Sequence, residues 1–107
     1  MFSVGRDAAI SIRDSGDILL DADEQVSFVT EAGRRYDIVR KAWGFYATPS
    51  INRRLRDEGF RTALVRNRRG HVYVMVVEAD KQDLFDRYCA QEDQTVVEWL
   101  DAIPPGM

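Results

Sequence analysis

One cysteine and one histidine stand in the 107 residues. A lone Cys89 forms no internal disulfide, and with His71 it falls short of the four ligands of a structural zinc. The chain also lacks the zinc-protease helix motif, the EF-hand loop, the phosphate-binding P-loop and the dinucleotide glycine fingerprint. No cofactor and no metal are therefore expected. Apolar runs stay well short of the ~18 residues that span a bilayer, so no membrane contact is expected. The opening MFSVGRDAAISIRDSG has no basic segment followed by a long apolar one, which argues against a secretory signal. Together these absences predict a reduced, cytoplasmic protein.

Hydrophobic content of 45% and charged content of 31% suit one folded domain over residues 1–107. Within it, 1–23 is a weakly patterned segment and 102–107 a tail ended by Pro104-Pro105-Gly106. The net charge of −3 hides a sharp asymmetry. Residues 1–32 balance at −5, residues 33–69 at +8 and residues 70–107 at −6. A basic middle between acidic ends is either a surface for an anion or a surface the ends fold back to neutralise.

Ala8, Ile10 and Ile12 alternate as one short strand would, and Ile18-Leu19-Leu20 reads as its return after the Asp14–Asp17 turn. Val26, Phe28 and Thr30, then Tyr36, Ile38 and Arg40, alternate around Glu31-Ala32-Gly33 and predict a hairpin. Its second strand is expected to continue through Trp43 to Tyr46, with Gly44 marking a bulge. Thr48 as cap with Pro49 at the first helical position, or Ser50 as cap, predicts a basic helix with Ile51 and Leu55 inward and Gly59 as its stop. A second hairpin follows over Phe60–Glu78, turned by Asn67-Arg68-Arg69-Gly70. Its run from His71 to Val77 is the strongest strand signal and is expected at the centre of the sheet. Asp80 is expected to cap a second helix bearing Leu84, Phe85, Tyr88 and Cys89, and Thr95–Leu100 is an edge strand or a short final element. The fold class is α+β: an antiparallel sheet of two β-hairpins with two helices on one face, ββαββα in order, with an extra strand possible at each end.

The stretch from Trp43 to Phe60 carries most of the functional signal. Trp43 and Tyr46 offer aromatic contact, and Thr48, Ser50 and Asn52 offer polar donors at a helix start. Arg53, Arg54, Arg66 and Arg68 offer charge. One reading is a small non-catalytic binding or accessory module that meets a protein partner or a second copy of itself, anchored by exposed aromatics. The alternative is an anion or single-stranded nucleic acid held by the basic middle, where ten arginines to one lysine favour planar, bidentate contacts. A helix start rich in hydroxyls suits a phosphate, yet the same residues cap helices everywhere. The acidic pI of about 5.1 weighs against nucleic acid. His71 at a hairpin turn reads as a solvated residue, and Cys89 on its helix as a small buried hydrophobe.

Overall fold

The computed structural model describes residues 2–4, 10–104 and 106. Eight strands, two α-helices and two 3-10 turns build an α+β fold over these residues. Strands β1 (Phe2–Val4) and β2 (Ile10–Ile12) pair with each other alone among the described residues. The expected strand at Ala8 is described only from Ile10 onward, since Ala8 and Ala9 lie outside the described residues. Ile18–Leu20 is not a strand: Leu19 is exposed and the Asp14 side chain closes a local turn onto the Gly16 N–H (2.9 Å).

Strands β3 (Glu24–Val29) and β4 (Arg35–Lys41) form the expected first hairpin, with Val26 opposite Ile38 and Phe28 opposite Tyr36. The second strand does not run on to Tyr46. It reverses at Ala42-Trp43, and β5 (Gly44–Ala47) returns along β4 with Phe45 opposite Arg40. Gly44 is what permits this. At φ +147° it holds a backbone conformation that side-chain-bearing residues rarely adopt, so the glycine that suggested a bulge makes a reversal instead.

Strands β6 (Phe60–Arg66), β7 (Val72–Glu78) and β8 (Thr95–Trp99) form a second antiparallel sheet in the order β7-β6-β8. The centre is therefore β6, not β7. Phe60, Thr62, Ala63 and Val65 are buried, while Val72, Tyr73 and Val74 of β7 are exposed. An unbroken apolar run marks a strand able to sit at the centre, but neighbours on both sides decide which strand does. A 3-10 turn at Ala79–Lys81 continues into helix α2 (Gln82–Gln91), 13 helical residues in all. It covers the face carrying Ala63, Val65 and Val77, because Phe85 packs edge-on against Trp99 (5.7 Å), which stands opposite Ala63.

A single sheet with two helices on one face is thus corrected to two three-stranded sheets, one long helix and one short one. The short helix, α1 (Arg54–Asp57), spans one turn. Thr48 does not cap it, because the Thr48 N–H donates to the Asp37 carbonyl (3.0 Å) and keeps this segment tied to the first sheet. Ser50 closes the turn instead, its Oγ accepting from the Arg54 N–H (3.0 Å). Gly59 ends the helix as expected, with φ +99°, and a Cβ there would lie 2.7 Å from Arg34 Nε. Asp80 caps nothing either, since its carboxylate is taken by Arg34.

The core sits around β6: Leu55, Phe60, Ala63, Val65, Val77 and Cys89. One carboxylate is buried with it. Asp101, in the 3-10 turn after β8, accepts from Arg61 Nε (3.2 Å) and the Thr62 N–H (3.3 Å), while its carbonyl accepts from Arg56 (2.8 Å). Arg61 completes the arrangement by lying 3.9 Å over the Trp99 ring. The end of the chain is thereby latched onto the central strand. Leu55 is the best-enclosed side chain of α1, with no exposed surface. Leu55→Ala is expected to cost about 2–5 kcal/mol, read as a lowered urea midpoint at unchanged slope.

Candidate functional site

The β4–β5 reversal places three aromatic side chains at one tip of the first sheet. Trp43 is 72% exposed, Phe45 62% and Tyr46 45%. Two of them are ordered against each other: the Trp43 and Tyr46 rings stack at 6.0 Å, inclined by 24°. The Arg40 guanidinium lies 5.7 Å from the centre of the Phe45 ring, on the face that the register assigns to both. Lys41 next to the turn is held by Asp23, which favours the charged ammonium and raises its pKa. The tip thus carries a stacked Trp43–Tyr46 pair on one side and an Arg40–Phe45 pair on the other.

Beside the tip lies a polar corner centred on Asp37. Its carboxylate accepts from Ser27 Oγ and faces Arg54 Nη2 (3.7 Å) and Arg35 Nε (3.9 Å). Thr48 Oγ1 stands 3.4 Å from the Asp37 carbonyl and from Gln25 Oε1. Thr48 and Arg54 are therefore brought together at one residue, Asp37. Ser50 and Asn52 are spent on the chain itself: Ser50 Oγ on α1, and Asn52 Nδ2 on the Ile103 carbonyl (2.9 Å). Arg53 is exposed and, among the described residues, makes no ion pair. Arg66 and Arg68 belong to the far end of the β6–β7 hairpin, are exposed, and share no hydrogen bond or ion pair with this corner among the described residues.

The expected donors at the helix start are thus engaged, and a helix of four residues carries little dipole for an anion. His71 is exposed at its turn, as expected of a solvated residue. Cys89 is buried, and desolvation pushes its thiol pKa up, with Asp86 adding to the effect. A thiol held protonated in this way is a poor nucleophile.

Two features had no signal in the linear pattern. The first is an open apolar cleft of about 210 Å³ between the sheets, lined by Phe28, Val29, Thr30, Tyr36, Phe60 and Val76. Burial there raises the pKa of the Tyr36 hydroxyl. The alternation of β3 and β4 put Phe28 and Tyr36 on one face, but only the packing of one sheet on the other makes that face a cleft wall. The second is a clamp at the cleft's rim. Arg34 forks onto both oxygens of Asp80 (3.1 Å each) and onto Glu78 Oε1 (3.0 Å), which also accepts from Thr30 Oγ1 (2.9 Å). Forty-four residues separate Arg34 from Glu78, so no local motif announces the pair.

No family model, curated protein or solved structure matches this chain. Among the described residues no helix is long and apolar enough to cross a membrane.

Hydrogen bonds from Arg34 and then Thr30 lower the Glu78 pKa below its ordinary value of 4.5. A carboxylate depressed by folding stabilises the folded chain above its unfolded pKa, and that contribution is lost as pH falls through the folded value. Chemical denaturation from neutral to acid pH is therefore expected to show stability falling below about pH 4.5, and Glu78→Gln should flatten that fall while lowering stability at neutral pH. An unchanged acid limb in the variant would mean that the clamp does not govern it.

Proposed function

We propose that this chain is a small non-catalytic binding module that grips a protein partner through the aromatic tip of β4–β5. The observation that carries the reading is the exposure of Trp43 and Tyr46 as one stacked pair at a hairpin end, with Phe45 exposed on the opposite face of the same strand. Leaving large aromatics in water wastes burial energy of about 25 cal/mol per Å² of apolar surface, and Trp and Tyr are the side chains most enriched where interfaces concentrate their affinity. Lys41 beside the turn and Arg40 under Phe45 add the polar rim that such anchors have. The preset stack also lowers the entropy cost of ordering the anchor on contact.

Anion or single-stranded nucleic-acid binding is the second reading. Its support is the row of exposed arginines at the other hairpin, Arg66, Arg68 and Arg69, none of which makes an ion pair among the described residues. Thr48, Ser50 and Asn52 contribute little to it, since their polar groups already serve the chain.

Panning a random peptide library on the protein, with a short mixed-sequence RNA in a parallel titration, separates the two. The module reading expects peptides whose affinity falls at least tenfold against Trp43→Ala, a variant whose site is already mostly exposed. Peptides that bind Trp43→Ala equally well, or RNA binding that declines steeply with salt and is lost in Arg66→Ala/Arg68→Ala, would overturn it in favour of the second reading.

A further inference from the structure

Strand β7 is an edge without the usual defences. Its outer side faces no other strand among the described residues. From Val72 to Val77 it carries no charge, no proline and no glycine, and Val72, Tyr73 and Val74 are exposed. Natural edges are normally blunted by charged side chains, prolines or bulges. The opposite edge of the same sheet has two of these devices: β8 carries Glu98, and the pairing of β6 with β8 is broken by a bulge between Leu64 and Val65.

The charges at the two ends of β7 differ in sign. The Asn67–Gly70 turn and the residue before it present Arg66, Arg68 and Arg69, with no carboxylate between residues 66 and 77. After the strand's apolar run come Glu78, Asp80 and Asp83, of which Arg34 and Lys81 neutralise part, and the Asp80 side chain remains 59% exposed. A second copy running antiparallel brings the basic end of one strand beside the acidic end of the other, twice, by symmetry. A parallel partner would place like ends together.

We propose that β7 pairs with β7 of a second copy across a two-fold axis at Val74, joining two three-stranded sheets into one of six strands. Val74 then faces itself, Val72 faces Val76 of the other copy, and the arginine-bearing turn of each copy comes to the acidic end of the other's β7. Directly opposite residues point to the same side of a sheet, so Val72 of the second copy joins Val76 at the wall of the inter-sheet cleft. Tyr73 falls beside Met75 on the reverse side, at the margin of the face that α2 covers. The pairing does not involve the aromatic tip and holds whether or not the tip binds a partner.

Sedimentation equilibrium of the full chain from micromolar to millimolar concentration tests this together with two cysteine variants. In a Cys89→Ser background, Val74→Cys is expected to give a covalent dimer on mild oxidation, because opposed strand residues fall within disulfide reach. Val72→Cys in the same background is expected to remain uncrosslinked, since that position lies opposite Val76 and not itself. Val74→Lys, which adds charge to an already exposed site, is expected to weaken association at least tenfold with an unchanged circular dichroism spectrum. Trp43→Ala should leave the dimer intact. Three results would each overturn the proposal: a wild-type chain that stays monomeric at millimolar concentration, a Val74→Lys variant that associates like wild type, or crosslinking of the Val72→Cys variant in place of the Val74→Cys one.

Discussion

Arg34 holds this molecule's two halves in register. Each sheet is built on its own hairpin, the second completed by β8, but at the cleft's rim the first sheet reaches the second through one guanidinium, engaged with Glu78 and Asp80, and through Thr30 on the Glu78 carboxylate. Charge and geometry reinforce each other here, because a planar fork meets two carboxylates that the end of β7 and the start of the helix already hold in place. The clamp dictates its neighbours. Gly59 must stay free of a side chain for Arg34 to lie against it, and Asp80 is withdrawn from helix capping to receive it. The cleft opens beside this clamp, with Thr30 belonging to both.

The same economy recurs at Asp101 and Asp37. Each is a carboxylate that gathers donors from distant segments: Arg61 and the Thr62 N–H for Asp101, Ser27 and Arg54 for Asp37. Part of the basic middle of the chain is engaged in this way: Arg34, Lys41 and Arg61 meet carboxylates from the acidic flanks, and Arg35 and Arg54 meet Asp37. Arg34, Arg54 and Arg61 are structural cations, and prominent among the arginines left exposed are those at the β6–β7 turn. Of the two meanings the charge asymmetry allowed, neutralisation by the ends applies to Arg34, Lys41 and Arg61, while Arg53 and the arginines of the β6–β7 turn stay exposed without an ion pair among the described residues.

Much of the local structure was legible in the residues. Alternation gave both hairpins, Asn67 and Gly70 gave the turn, and Gly59 gave the helix stop, because each depends on neighbours a few residues away. What the pattern misjudged were choices among near-equal alternatives. Gly44 allows a bulge or a reversal; the Val-rich β7 could sit at the centre or the edge; Thr48 could cap a helix or bind the sheet. The last two were decided by contacts distant in sequence, β8 arriving on the far side of β6 and Asp37 accepting from Thr48. The candidate site was legible in half. Trp43 and Tyr46 do meet, but Asn52 turned to Ile103, and Arg66 and Arg68 went to another sheet.

A joint made of a few polar contacts, the Arg34 fork, Thr30 on Glu78 and Arg54 on Asp37, has a mechanical meaning. The core around β6 is apolar and latched by the chain's end, whereas the β3–β5 sheet is fastened largely by charge. The first sheet is joined to the second more sparsely than β6 is to its own neighbours, so it is expected to open at a lower free energy than the core. The aromatic tip rides on that first sheet. The pose of Trp43 and Tyr46 relative to β6 is thus expected to respond to the protonation of Glu78 and to salt, which loosen these polar contacts.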